Sequence, residues 1–278
     1  DNNEYNIFKL RSSIENYRNF NKVKIKLLNI ENYFLLNSEL KKIKPEIIFH
    51  TAALKHVNYL EENIKQAITT NVIGTHNLVT ISQKLNVKYF VHVSTDKAAN
   101  PKNILGYTKA LSEFVCNNFS RSSTKIAIVR FGNVFNSFGS VAETFRIKLL
   151  NADKIKISHP KVERFFMSSN EAANLIISAF QIVYFEKKIL TNCRTFICDM
   201  GEQINILDLA KKMIFLSGRS PQKFLSNTYY GLKNVEKLSE ELFSTDEKII
   251  KRIKNRILEI QNSRKKISIK KINSLILG

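Results

Sequence analysis

Cysteine is scarce in this chain, and its spacing excludes several kinds of protein at once. The 278 residues hold three cysteines, Cys116, Cys193 and Cys198, too few and too irregular for a disulfide framework. No C-x-x-C pair is present, which removes the common zinc and dithiol redox motifs and points to a reducing, cytoplasmic setting. Long hydrophobic runs are missing too. Nowhere do about 18 apolar residues follow one another, so no segment reads as a membrane-spanning helix. The start of the chain lacks the charged and apolar regions of a secretory signal. It begins at Asp1 rather than methionine, and an upstream piece is expected.

What is present suits a folded globular protein. With 44% hydrophobic and 24% charged residues, the chain has ample material for a core and the length for one large or two closely joined domains. The formal net charge of +20 raises the question of nucleic acid, because basic surfaces gain affinity by releasing counterions from phosphates. The lysines are scattered along the whole chain among Ile and Asn, as an AT-rich coding bias would leave them, and no nucleic-acid partner is expected. Only "KRIKNRILEIQNSRKKISIKK" is locally dense in charge. There Ile253, Leu258 and Ile260 give a partial amphipathic pattern, and residues 243–278 are expected to form a basic helical tail.

Elsewhere strand and helix signals alternate. "KVKIKLLN" (22–29) reads as a strand, "NYFLLNSELKKI" as a helix and "PEIIFHTAA" as a short apolar strand entering a loop. "NIKQAITTNVIGTHNLVTISQKLN" is a long helical stretch, "VKYFVHVST" a buried strand, "NILGYTKALSEFVCNNFSR" a helix and "TKIAIVRFGNVF" another strand. Such alternation predicts a doubly wound α/β fold with a parallel sheet covered on both faces. Ligands bind beyond the carboxyl ends of such strands. At three of those ends lie His50 to His56, Ser94 to Lys97 and Arg130 to Asn133, a convergence on one crevice.

Six blocks in order resemble the UDP-N-acetylglucosamine 4,6-dehydratases of polysaccharide biosynthesis, the CapD-like branch of the extended short-chain dehydrogenase/reductases. They are "HTAALKHVNYLEENIKQAITTNVIGTHNL", "VSTDKAANPKNILGYTKALSE", "VRFGNVFNSFGSV", "ISHPKVERFFMSSNEAANLI", "CDMGEQINILDLAKKMIFLSG" and "YGLKNVEKLSEEL". The resemblance spans roughly residues 1 to 242. It implies a Rossmann domain over 1–150, a smaller, mainly substrate-binding lobe over 151–242 with elements returning to the sheet, NAD or NADP as cofactor, and a UDP-sugar substrate. It also implies a homo-oligomer, a role in capsule or glycan synthesis, and a parent protein anchored at the inner membrane by a region outside this chain.

Residue by residue, the resemblance makes Lys97 the base at C5 of the hexose, Asp96 the acid at C6 and Thr95 a relay for the C4 hydroxyl. An acid of this kind needs a raised pKa and a lysine base a lowered one, which burial beside a cofactor can supply. Asp1, Ala52, Ala53, Asn71, Leu105 and Lys109 match cofactor positions. His56, Asn133, Arg164 and Lys233 match substrate positions, the arginine suited to a diphosphate. In ordinary members a tyrosine stands four residues before the lysine on one helix face. Here that position is Leu105, a replacement similar to the methionine of the membrane-type dehydratases. Tyr107, two residues from the lysine, points elsewhere.

Three departures stand out. The Gly-rich turn that cradles a cofactor pyrophosphate is nowhere in the sequence, which suggests that about 30 residues of the usual βαβ unit lie upstream. Asn29 stands where the family has an aspartate near adenine. In the nucleotide-clamping block, Lys233, Asn234 and Val235 replace Arg-Pro-Gly. The chain by itself is therefore expected to bind NAD weakly and to be inactive. An epimerase or reductase of the same superfamily, or a catalytically silent fragment, are the alternatives.

Overall fold

The computed structural model describes residues 1–119, 123–135, 137–186, 191–226, 228–232, 234–253 and 256–261. Lys233 and the tail beyond Gln261 lie outside them. Helices α1 (Glu4–Ile14) and α2 (Tyr33–Ile43) precede strand β1 (Ile47–His50). Helices α3 (Val57–Glu62) and α4 (Ile64–Ile68) then lead through a π-type turn, Thr69–Ile73, into α5 (Gly74–Lys84). Strand β2 (Tyr89–Thr95) is followed by α6 (Ile104–Asn118), β3 (Lys125–Phe131), the short β4 (Asn133–Val134) and α7 (Val141–Leu150). Next come β5 (Glu163–Arg164), β6 (Phe166–Met167), α8 (Ser169–Phe185) and β7 (Cys193–Cys198). The described chain closes with β8 (Ile204–Asn205), α9 (Ile206–Leu216), α10 (Pro221–Phe224), β9 (Lys248–Ile253) and β10 (Ile257–Gln261).

Side-chain caps set where the principal helices begin. Asn32, Asn103 and Asn205 accept backbone N–H groups at the starts of α2, α6 and α9, and Ser168 with Glu171 forms a capping box on α8. The main sheet has the order β1-β2-β3-β7-β10-β9. Its first four strands are parallel, while β10 runs antiparallel to both β7 and β9.

Hydrophobic residues on both faces of β2 and β3 explain why both faces are covered. Phe90, Ile126 and Ile128 pack against Leu36 of α2, Leu78, Val79 and Ile81 of α5 and Cys116 of α6. Val91, Ala127, Val129 and Phe131 meet Ala172, Leu175, Ala179 and Val183 of α8. Each such large side chain contributes about 1.5–3 kcal/mol when fully buried. A smaller core joins Phe145 and Leu149 of α7 to Ile206, Ala210 and Ile214 of α9, over Ile155, Ile157 and Val162. The fold is the expected doubly wound α/β architecture. Among the described residues no helix is long and apolar enough to cross a membrane.

Two local expectations fail. Residues 22–29 are not a strand: Lys22 ends a 3₁₀ turn, and the segment after it runs without a ladder. Leu28 and Ile30 still pack into the core, and the Leu28 N–H donates to the Asp1 carbonyl (2.8 Å), but among the described residues no neighbouring strand supplies partners. The basic tail is not helical where it is described. Leu258 and Ile260, two residues apart, have a strand's spacing and pack with Ile197, while Glu259 takes two hydrogen bonds from Arg194 (2.7 and 2.6 Å). Beyond β10, Lys248, Lys251 and Arg252 place charge on the edge strand β9.

Two buried polar clusters lie within the sheet. Arg130 of β3 is fully buried. Its Nε and Nη2 donate to the carboxylate of Glu113 on α6 (2.7 and 2.6 Å), and Nη1 and Nη2 donate to that of Glu247 (both 2.8 Å). Ser94 Oγ donates to the same Glu113 (2.5 Å). In the second cluster His50 and His92 sit side by side on β1 and β2, ring centroids 5.1 Å apart. Their Nε2 atoms meet Thr75 Oγ1 (2.8 Å) and Ser112 Oγ (2.9 Å).

Burial, with the nearby Lys109 ammonium, lowers the pKa of His50 to about 3 and that of His92 well below its usual value. Both are neutral when folded and titrate near 6.5 when unfolded. Their contribution is therefore complete above about pH 6.5 and is lost as pH falls toward the folded value, at about 1.4 kcal/mol per pH unit for each ring. Urea unfolding at pH 7 and pH 5 should show a loss of about 2 kcal/mol from His50, with His92 adding in the same direction, and His50→Gln should shrink the difference. Equal stability at the two pH values would contradict neutral burial of these rings.

Candidate active site

The carboxyl ends of β1, β2 and β3 open into a cleft of about 520 Å³. Of the residues singled out in the sequence, Ala53, His56, Thr95, Lys97, Leu105, Lys109, Asn133 and Arg164 line it. Asp96 lies directly beneath, with 0% exposure. Its Oδ1 accepts from Thr95 Oγ1 (2.8 Å), from the Lys97 backbone N–H (2.8 Å) and from Lys97 Nζ (3.0 Å). Its Oδ2 is buried without a hydrogen-bond partner. This carboxyl therefore communicates with the cleft through Thr95 and Lys97.

Two close approaches hold that turn in place. A Cβ on Gly106 would stand 2.6 Å from the Lys97 carbonyl, so glycine lets α6 press against the turn. On Gly132 a Cβ would lie 2.7 Å from Phe165 Cβ and 3.1 Å from Asp96 Oδ2. All three distances are shorter than side chains normally tolerate.

Lys97 departs from the expectation that burial leaves a lysine base with a lowered pKa. Burial does pull it down, but the carboxylates of Asp96 and Glu240 outweigh that pull and the repulsion of Arg164, and the net pKa is raised. Its ammonium also donates to Asn133 Oδ1 (3.3 Å) and forms an ion pair with Glu240 (3.5 Å). Here Lys97 is a charged donor. To act as a base it must lose part of this carboxylate company.

On the cofactor side, Leu105 and Lys109 share one face of α6, one helical turn apart. Leu105 packs on Leu60 and Ala67 and presents its remaining surface to the cleft. Lys109 Nζ donates to the Val93 carbonyl (2.6 Å) and lies 3.4 Å from His92 Nε2. Burial lowers its pKa to about 8 against the pull of Glu113. An ammonium has three protons to donate, so one spent on Val93 leaves others for ribose hydroxyls. An apolar wall beside such a donor fits the nicotinamide end of a dinucleotide. Among the described residues no glycine-rich turn stands beside this end of the cleft.

Other expected positions act at one remove. Asn71 is buried: its Oδ1 accepts from the Leu54 N–H (2.8 Å), and its Nδ2 donates to the Leu54 carbonyl (3.0 Å) and to Thr108 (3.1 Å). It shapes the 51–56 loop and does not line the cleft. Ala52 is exposed beside Ala53 but outside the lining, and Asp1 lies away from the cleft, its carboxylate accepting from Asn3 N–H (2.9 Å). His56 packs over Gly139, and burial together with Lys55 lowers its pKa. Sequence reasoning missed Asn103, Lys237 and Glu240, which also line the cleft. Glu240 stood inside a block already singled out, but only the fold brings it to Lys97.

The chain matches the family model described as "Polysaccharide biosynthesis protein" over residues 1–262. It is 36% identical to EpsC of Bacillus subtilis (strain 168) over 209 residues, 75% of this chain and 34% of that protein. To the capsular polysaccharide biosynthesis protein CapD of Staphylococcus aureus it is 34% identical over 223 residues, 80% of this chain and 36% of that one. The chain thus spans about a third of the length of these two relatives. A UDP-N-acetylglucosamine 4,6-dehydratase (inverting) of Campylobacter jejuni is 31% identical over 208 residues, 73% of this chain and 57% of that enzyme. A UDP-glucose 4-epimerase of Rickettsia canadensis (strain McKiel) is 34% identical over 164 residues, 58% and 48% respectively. Among solved structures, Pen from Bacillus thuringiensis superposes with a TM-score of 0.79 at 28% identity, covering 99% of this chain and 87% of that one.

The packing separates two neighbouring substitutions. Leu105→Met keeps volume and apolarity and should cost under about 1.5 kcal/mol in urea unfolding. Gly132→Ala drives a methyl group into Phe165 and Asp96 and should cost about 1–3 kcal/mol. The reverse order of the two losses would show that the α6 register or the Gly132 approach is wrong.

Proposed function

Because the chain belongs to the polysaccharide biosynthesis protein family, we propose that it carries the catalytic machinery of a nucleotide-sugar 4,6-dehydratase. The substrate is a UDP-N-acetylhexosamine, UDP-N-acetylglucosamine first, and the product is its 4-keto-6-deoxy derivative. The cofactor is NAD, with NADP the alternative. One observation carries the reading: a Thr95–Asp96–Lys97 network opens into a cleft where the position one turn before Lys109 is occupied by leucine.

Water leaves C5 and C6 of a hexose slowly because the C5 proton is not acidic. When bound, the nicotinamide would take the C4 hydride, leaving a ketone that makes the C5 proton removable, and would return that hydride to C6 as C5 regains a proton, so that no oxidant is consumed. The protein then has three protons to move. Thr95, whose hydroxyl donates to Asp96, takes the C4 hydroxyl proton and passes it inward. Lys97, once neutral, takes the C5 proton. Asp96, whose Oδ2 is buried without a hydrogen-bond partner, serves as the acid toward the departing C6 hydroxyl. Arg164 faces the substrate's diphosphate, and Asn133 holds Lys97 in register.

An epimerase is the second reading, favoured by the relative from Rickettsia canadensis. Leu105 counts against it, since a leucine cannot exchange a proton with the C4 hydroxyl.

The test is mass spectrometry of UDP-N-acetylglucosamine incubated with the full-length protein and NAD. A product lighter by one water, formed without added oxidant, is expected. Lys97→Met and Asp96→Asn should each slow its formation by about 10²–10⁴-fold while UDP binding survives. Near-normal dehydration by either variant would contradict the assigned roles.

A further inference from the structure

Glu240 occupies an unusual place between the two halves of the site. It is 4% exposed, with Oε1 3.5 Å from Lys97 Nζ and 3.6 Å from Arg164 Nε. Its Oε2 is buried with no hydrogen-bond partner. The backbone around it is firmly held: the Gln203 side chain accepts from the Glu240 N–H (3.0 Å) and donates to the Glu240 carbonyl (3.1 Å). The carboxylate itself is held loosely, by two long ion pairs. Such a group sits where a more strongly bonded anion could replace it.

Arg164 is built to receive one. Its Nη1 donates to the carbonyls of Glu163 (2.7 Å) and Leu238 (3.3 Å), which fixes the guanidinium plane and turns its Nε edge toward Glu240. A phosphate accepts paired hydrogen bonds from such a fork and carries more charge than a single carboxylate. Lys237, also on the cleft wall, has a buried ammonium without a hydrogen-bond partner and an ion pair of only 3.8 Å to Glu241. The phosphate position therefore holds unused donor capacity, and its occupant in the free protein is an internal carboxylate.

We propose that Glu240 is an internal counter-ion at the phosphate position: it bridges Arg164 and Lys97 until a nucleoside diphosphate displaces it, and so acts as a positioning residue that couples nucleotide binding to the freeing of Lys97. The inference rests on the nucleotide-sugar reading above and adds to it the device that keeps the lysine charged until a substrate is present. Glu240 is one of the two carboxylates that raise the proton affinity of Lys97, and its departure from the lysine removes that support.

Calorimetric titration of the chain and its Glu240→Gln variant with UDP, and separately with uridine, tests this. Removing a competing charge should tighten UDP binding about tenfold, the worth of one weak charge-assisted contact, and leave uridine binding unchanged. A structural role alone would weaken both ligands or neither. UDP binding that Glu240→Gln leaves equal or weaker overturns the inference and spares the nucleotide-sugar reading, whereas failure of both proteins to bind UDP overturns that reading and the inference with it. A second readout needs no variant. In a crystal structure of the unaltered chain with UDP, the Glu240 carboxylate should lie away from Arg164, and retention of that contact with UDP bound would overturn the inference.

Discussion

The guanidinium of Arg130 is the constraint on which the rest of the site depends. A full positive charge at the centre of a sheet survives only when fully paired, and two carboxylates supply four charge-assisted hydrogen bonds. Those carboxylates come from α6 and from the segment before β9, so one ion cluster ties three parts of the chain together. Ser94 joins it through Glu113. The last residues of β2 are thereby fixed from behind, and the Thr95–Asp96–Lys97 turn grows out of a strand end that cannot shift without unpairing a buried charge. Removing one partner of such a cluster typically costs about 3–5 kcal/mol, several times the worth of an exposed pair.

Much of the fold was legible because it depends on local pattern. The apolar runs of β2 and β3 and the Leu105–Lys109 spacing are properties of neighbouring residues, and each appears where expected. The three strand ends meet in one cleft for the topological reason that applies to any parallel sheet of this kind. The failures are equally physical. Residues 22–29 have a strand's alternation but no strand to pair with among the described residues, and a strand is a property of a pair. Ile253, Leu258 and Ile260 fit a helix only loosely, and pairing with β7 decided the outcome.

The charge of Lys97 shows what local sequence cannot reveal. The lowered pKa was expected from burial beside a cofactor, and the carboxylate next to the lysine in "STDK" already works against it. The outcome is reversed by Asp96 first and then by Glu240, which belongs to a distant block and whose backbone is held beside the cleft by the Gln203 side chain. Gly106 and Gly132 carry a similar lesson. In the sequence they are two of eight glycines, and only the approach of the Lys97 carbonyl and of Asp96 explains why a side chain would not fit.

The central claim is that this cleft moves a hydrogen within one sugar while water leaves it. The most direct measurement follows a deuterium label placed at C4 of UDP-N-acetylglucosamine through the reaction of the full-length protein, with NMR of the product. The account predicts a 4-keto-6-deoxy sugar nucleotide with the deuterium at C6 and no net consumption of oxidant. Deuterium retained at C4 of a sugar that has inverted there and kept its water would contradict it.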